Sequence, residues 1–195
     1  MVKVRDVEAA LELMNMTQSR CGGQVDAFEL IGKLMYELPV QYLDHVSPVF
    51  DEAPELAVLM ELGAARPEDA APGPDGTVAL SAQLESILAD AFEAGLVEDA
   101  VIAQSDAQRA NFWAMREGTL EAMQRHGPWV MNDISFQVSD LPGVIADMEA
   151  AFAAVAPGPF CVAFGHMGDG NLHINARPYD TVSYTHLRAH ETKAN

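Results

Sequence analysis

The chain has 195 residues, 49% of them apolar, and a formal charge of -18 from 29 acidic and 11 basic side chains. That length and apolar content suit one filled core or two small ones and argue against disorder. The strongly negative charge, without Lys/Arg clusters, excludes nucleic acid and anionic membrane surfaces as partners, because both reward concentrated positive charge.

At the amino terminus, Val2 and Val4 read as a short alternating strand. Asp6 is placed to cap a helix beginning VEAALELM, whose apolar residues recur at helical spacing. The segment lacks the basic-then-apolar order of a signal peptide, and no apolar run approaches the ~18 residues needed to cross a bilayer. A cytoplasmic protein with no transmembrane segment is therefore expected. Cys21 and Cys161 form no CxxC pair and read as two reduced thiols. VDAFELIGKLMYEL reads as a second helix or as a strand passing into one, ending before Pro39, and ELAVLMELGA has the length of a buried strand. The Pro/Gly/Ala/acidic stretch ARPEDAAPGPDG, 65–76, is a surface excursion inside the fold or a domain boundary.

Leu80 to Ala94 is amphipathic, with Leu84, Ile87, Leu88, Ala91 and Phe92 on one face and Gly95 as its C-cap. EDAVIAQ follows as a strand. Asp106 then caps a helix, AQRANFWAMREGTLEAMQRHG, that turns Phe112, Met115, Leu120 and Met123 toward a core. VMNDISFQVS alternates as a strand, and LPGVIADMEAAFAAVA is a helix that tolerates Pro142 in its first turn. FCVAFGHMGDGNLHINARP supplies a closing hairpin. Half-polar strands and a hairpin point to the α+β class: an antiparallel sheet with helices packed on one face, built from ferredoxin-like units. The final segment, 181–195, carries two of the six histidines and does not continue the apolar pattern. It reads as an extraneous, adapter-derived tail outside the domain at 1–180, with a genuine basic tail as the alternative. His186 and His190 are set aside as a metal site with it.

Chemistry concentrates in GHMGDGNLHIN, 165–175. Asp-Gly is a strong signal for a two-residue hairpin turn, in which both central positions need positive φ. With Asp169-Gly170 as that turn, Met167 lies opposite Leu172 and His166 opposite His173, with Cβ atoms about 4.5–5.5 Å apart. Imidazoles so placed either converge on one metal ion or sit as cross-strand surface residues. Asp169 is read first as a turn former. Arg116, in FWAMREG, is a guanidinium inside an apolar pattern in a chain short of cations. It either holds an anionic substrate or bridges to Glu117 or Asp133. Met115, Met123 and Met131 read as core or gap-filling residues, while Trp113 and Trp129 either wall a pocket or sit half-buried in a core.

FWAMREG (112–118), NDISFQVSDLPGVI (132–145) and GHMGDGNLHIN (165–175), together with VDAFELI, resemble the carboxy-terminal domain of FAD-linked oxidases of the vanillyl-alcohol-oxidase type, in the branch of D-2-hydroxyglutarate and D-lactate dehydrogenases. The resemblance covers roughly residues 1 to 180, truncated at both ends. It implies that the chain caps FAD held mainly by a separate amino-terminal domain absent here. The parent would be a FAD-dependent 2-hydroxy-acid oxidoreductase, and this piece alone is expected to be inactive. Carried over by position, His166 and His173 bind a divalent metal, zinc or manganese, Asn175 lies near the substrate and Arg116 pairs with its carboxylate. His173 and Arg116 thereby count as catalytic. The implied partners are a small 2-hydroxy acid, an unidentified electron acceptor and a second copy in a homodimer. Two departures stand out. Met131 replaces a lysine that many members carry just upstream of the strand's Asp, so recognition of a distal carboxylate is not implied. The family's third metal ligand, a glutamate in an E-H-G segment, has no counterpart before the sequence ends, and Glu191 lacks that context. The alternative reading is a freestanding metal- or small-ligand-binding α+β module without redox activity.

Overall fold

The structure, a computed structural model, describes residues 1–64, 66–74, 76–155 and 160–177. The tail at 181–195, with His186, His190 and Glu191, lies outside the described residues, as does the side chain of Cys161. Cys21 is buried and free.

Strand β1 (Val2–Val4) leads into helix α1 (Val7–Cys21), whose start is fixed by Asp6: its carboxylate accepts from the Ala9 amide at 2.7 Å. Strand β2 (Val25–Gly32) passes directly into α2 (Lys33–Tyr42), which is the strand-into-helix alternative of the sequence. Helix α2 runs through Pro39 instead of ending before it. Proline withholds one amide, but its carbonyl still accepts from the Leu43 amide at 2.9 Å, and Tyr36, Leu38 and Pro39 are buried. Packing offsets the missing bond. Strand β3 (Leu56–Leu62), the single turn α3 (Pro67–Ala70), helix α4 (Ala79–Glu93) and strand β4 (Val97–Ala100) follow. Met60, before the stretch 65–76, and Ile87, after it, belong to one core cluster. Helix α4 ends at Gly95, φ 71°, with the Leu96 amide donating to Ala91 and the Gly95 amide to Phe92, both at 3.0 Å. That is a Schellman end, which only an αL residue closes cheaply.

The long helix expected after residue 105 is two: α5 (Asp106–Glu117) and α6 (Thr119–His126). Ser105, not Asp106, is its N-cap, accepting from the Gln108 amide at 3.3 Å. The break falls at Gly118, where a Cβ would stand 2.4 Å from Leu43 Cδ1 and 2.7 Å from the Ala114 carbonyl. The remaining elements are β5 (Asp133–Ser135), α7 (Leu141–Val155), β6 (Phe160–His166) and β7 (Asn171–Arg177).

Among the described residues, seven strands join one antiparallel sheet in the order β4-β1-β3-β2-β6-β7-β5. The first four reproduce the ferredoxin-like order, and β6-β7-β5 repeats three strands of such a unit with α7 as its crossover. The α+β class and antiparallel sheet are those expected, but helices cover both faces rather than one. Strand alternation explains it: Leu30, Val58 and Leu172 meet α1, α4 and α7, whereas Ile31, Leu59 and Phe164 meet α2, α5 and α6. A sheet whose strands are apolar on both sides needs a second layer of helices to keep water out. Leu120, expected to face a core, and Met131, read as core or gap-filling, are exposed at 52% and 46%, and Phe92 of the amphipathic helix is exposed at 59%.

Candidate functional site

The site lies on the α5 side of the sheet, where β2, β6, β7 and β5 run side by side. The loop that joins β6 to β7 sets its register. Met167–Asp169 form a 3-10 turn, Gly170 is αL with φ 77°, and among the described residues no non-glycine residue has positive φ. The two-residue turn expected at Asp169-Gly170 requires positive φ at both positions, so it does not form. Asp169 instead accepts from the Asn171 amide at 3.1 Å and folds the loop from within. A Cβ at Gly170 would stand 2.1 Å from the Phe136 carbonyl, so the loop also needs glycine there for space.

The consequence is a shifted pairing. His166 faces Asn171, Gly165 faces Leu172 and Phe164 faces His173. His166 and His173 are therefore diagonal neighbours on one face rather than directly opposed, still within reach for ring side chains. Their ring centroids are 6.2 Å apart with 58° between planes.

Each histidine has a carboxylate opposite it on the adjoining strand. Glu29 of β2 pairs with His166, and its Oε1 lies 2.6 Å from His166 Nδ1. Asp133 of β5 pairs with His173 and is hydrogen-bonded to His173 Nδ1. A carboxylate that accepts from Nδ1–H leaves the Nε2 lone pair as the free donor of the ring, the arrangement found behind histidine metal ligands. An ion holding two imidazoles tetrahedrally at about 2.0–2.1 Å would bring their centroids to roughly 5 Å, so the pair is within about 1 Å of that spacing. Among the described residues no cluster of three His, Cys, Asp or Glu side chains is arranged to hold a metal ion. The two histidines offer two imidazole donors, short of the three or four protein ligands that metal sites normally use.

Arg116 comes from the last turn of α5. Its partner is neither Glu117 nor Asp133: Nε donates to Glu29 Oε2 at 2.6 Å, in a pair whose side chains are only 11% and 5% exposed. The guanidinium also lies 5.6 Å from the Phe164 ring centroid. With Nε engaged, the two Nη groups have no protein partner among the described residues. Arg116 lines a cavity of ≈ 400 Å³ together with His166, His173 and Asn175, with Trp113, Leu120 and Met131 as apolar wall. That is a size suited to a small organic acid.

Asn175 is 3% exposed, and its Oδ1 accepts from the Asn132 amide at 3.0 Å. Its side chain thus lines the cavity while its acceptor locks β7 to the segment before β5. Of the two tryptophans, Trp113 walls the cavity and donates to Glu61 at 2.5 Å, whereas Trp129 is buried core donating to the Met123 carbonyl. Met115 and Met123 are core as expected, but Met131 is a cavity residue. A second cavity of ≈ 330 Å³ lies across Trp113, where Arg109 and Glu61 satisfy each other. Its charges are spent, and it offers no comparable anion grip.

Sequence reasoning missed Glu29 and the structural part played by Asp133. Glu29 sits in the apolar run Phe28-Glu29-Leu30-Ile31, and an acid at an inward position of a buried strand was the available signal.

The family model for FAD linked oxidases, C-terminal domain, matches residues 1–181. Among curated proteins the chain is similar to a D-2-hydroxyglutarate dehydrogenase of Xanthomonas citri pv. viticola, 46% identical over 92 residues, which is 47% of this chain and 19% of that protein. It is also similar to the mitochondrial D-2-hydroxyglutarate dehydrogenases of Arabidopsis thaliana, 29% identical over 89% of this chain and 29% of that protein, and of Rattus norvegicus, 28% identical over 85% of this chain and 28% of that protein. The chain thus matches less than a third of the length of each.

Proposed function

The chain belongs to the FAD linked oxidase C-terminal domain family, and from that premise we propose that it forms the substrate side of a flavin-dependent D-2-hydroxy-acid dehydrogenase. In this reading FAD is held mainly by another part of the protein, and the cavity beside Arg116 closes over it. The observation that carries the proposal is a nearly buried arginine whose Nε is fixed by Glu29 and whose Nη pair is left free beside two carboxylate-backed histidines. A desolvated guanidinium with two parallel donors calls for a carboxylate in the bidentate mode.

When bound, FAD supplies the hydride acceptor and a divalent ion, zinc or manganese, supplies the charge that lowers the pKa of the substrate's hydroxyl. His166 and His173 would hold that ion through Nε2, with Nδ1 of each ring on its carboxylate. Arg116 binds the substrate carboxylate and fixes the orientation of the neighbouring C–H bond. Trp113, Phe164 and Leu120 exclude water from the reacting end, which strengthens each charge interaction there. Asn175, whose Oδ1 accepts from the Asn132 amide and whose Nδ2 donates to Met123 Sδ at 3.9 Å, is a fixed part of the wall on the substrate side.

No helix among the described residues is long and apolar enough to cross a membrane. The cytoplasm is the location this reading assigns, although the Arabidopsis and rat relatives are mitochondrial by name. The electron acceptor stays unidentified in this reading, and a homodimer is the assembly it takes.

The test uses the full-length flavoprotein that this reading requires. Anaerobic addition of a D-2-hydroxy acid should bleach the flavin's visible absorbance, and Arg116→Ala should abolish bleaching at the same substrate concentration. Bleaching unaffected by Arg116→Ala, or none with any D-2-hydroxy acid, would overturn the proposal.

A further inference from the structure

We infer that Glu29 is a positioning residue that sets the tautomer of His166 and the aim of Arg116 with one carboxylate. The inference deepens the function proposed above and rests on it for the purpose of the arrangement, though not for the arrangement itself.

Glu29 is 3% exposed and sits on β2 among Phe28, Leu30 and Ile31. Its two oxygens serve different partners at the same 2.6 Å: Oε2 accepts from Arg116 Nε, and Oε1 meets His166 Nδ1. A buried carboxylate needs such partners, because charge removed from water is costly unless it is paired and hydrogen-bonded. An ionised carboxylate only accepts, and so it requires a donor on each side. Arginine is always a donor. The remaining side therefore dictates chemistry: His166 must carry its proton on Nδ1. A neutral ring protonated there has its lone pair on Nε2, the nitrogen left for the cavity.

The same carboxylate pins Arg116 by the one nitrogen that is not part of the Nη pair, so its outer donors stay free as a fork. Grip and ring are thereby coupled through one residue. Phe164, stacked near both Arg116 and His173, limits how either can swing. Across the sheet Asp133 faces His173 in the same way, but its side chain is 72% exposed and water can replace it. Glu29 has no such substitute.

Glu29→Gln isolates this role, since it preserves shape but replaces one acceptor oxygen with a donor NH₂. Arg116 claims the remaining oxygen, and the NH₂ is left against His166 Nδ1. That nitrogen must then accept, and the proton moves to Nε2. Long-range ¹H–¹⁵N NMR of the 195-residue chain reads this directly. The wild type should show His166 protonated on Nδ1, Glu29→Gln should show it on Nε2, and Glu29→Asp should return it toward Nδ1. Titration with Zn²⁺ alone should weaken by roughly 10–100-fold in Glu29→Gln, as for loss of a group behind a metal ligand, with partial recovery in Glu29→Asp. A merely structural role for Glu29 would lower stability without moving the proton between nitrogens. A wild-type His166 protonated on Nε2, or a tautomer indifferent to Glu29→Gln, overturns the inference even if one variant folds poorly. A switched tautomer in a chain that binds no zinc upholds the positioning role and counts against the metal reading alone.

Discussion

Gly165 lies directly under the imidazole of His173: a Cβ at Gly165 would stand 2.9 Å from His173 Cδ2, at a residue with φ 120°. The strand opens a gap there, and the ring that faces the cavity leans into it. Gly165→Ala should therefore cost about 1–3 kcal/mol for the backbone alone, which lowers the thermal midpoint by roughly 2–12 °C for a chain of this size. It should also push the His173 ring away and weaken zinc binding. Gly95→Ala is the control, since Gly95 has φ 71° but nothing within 4 Å of its added methyl. Circular dichroism melts and zinc titration check both variants: loss of stability in both, and loss of zinc affinity only at 165. Equal zinc affinity in the two would dissociate Gly165 from the site.

Arg116→Ala in the full-length flavoprotein should raise KM for 2-hydroxy acids by on the order of 10–1,000-fold, because a charged hydrogen bond worth ~1.5–3 kcal/mol or more is lost. Arg116→Lys should recover little, as an ammonium cannot bond Glu29 through Nε and keep a two-pronged fork free. Steady-state kinetics decide it. A lysine variant as good as wild type would show that charge matters and the fork does not.

Replacing either His166 or His173 with Ala in that flavoprotein should remove metal and activity together while FAD stays bound. The double variant should cost little more than one single, because groups that act as a unit are strongly non-additive. Metal analysis, flavin absorbance and turnover on the same preparations separate these effects. Metal retained in His166→Ala would place the ion away from β6.

Much of this was legible in the chain, and the omissions share a cause. Alternation and capping gave β1, the Asp6 cap, α4 with Gly95 and the closing hairpin, because those signals are local. Arg116 and the two histidines stood out as scarce residue types, and the structure brings all three to one cavity. What stayed hidden depends on strands far apart in sequence. Glu29 meets His166 across 137 positions and Arg116 across 87, and no spacing rule reaches that far. The hairpin register failed for a different reason: Asp-Gly fits both a two-residue turn and the last two positions of a longer loop, and the contact of Gly170 with Phe136 selects the latter. The second layer of helices was missed because β2 and β3 are apolar on both faces only over a few residues, too short a run to tell from half-buried alternation.

Burial lowers the His126 imidazole below its ordinary 6.5, and the Arg177 guanidinium beside it adds to the effect. Arg177 donates to its Nε2, and Tyr42 Oη lies 3.2 Å from its Nδ1, a set that suits the neutral ring. The unfolded chain takes up this proton more readily than the folded one. Stability should then be flat above the unfolded value near 6.5 and decline as pH falls from there toward the lower folded value. Urea midpoints measured across that range should show a shallower decline in His126→Gln than in the wild type. An unchanged slope would assign the acid sensitivity to other groups.

Met131 tests which acids the cavity accepts. It is 46% exposed and lines the cavity wall with Leu120, while Arg116 is the one Lys or Arg among the described lining residues. One guanidinium holds one carboxylate. A second carboxylate on the substrate would meet Leu120 and Met131, with the acids Glu117 and Asp133 nearby, and gain nothing from this wall. The relatives named as D-2-hydroxyglutarate dehydrogenases act by name on a diacid. Met131→Lys in the full-length flavoprotein should therefore raise kcat/KM for a 2-hydroxy diacid relative to a monoacid of similar length by on the order of 10-fold, the low end for a charged hydrogen bond at a half-exposed position. The monoacid serves as internal reference for any general damage. If the ratio does not move, the distal end of the substrate points away from β5, toward the part of the cavity that Trp113 closes.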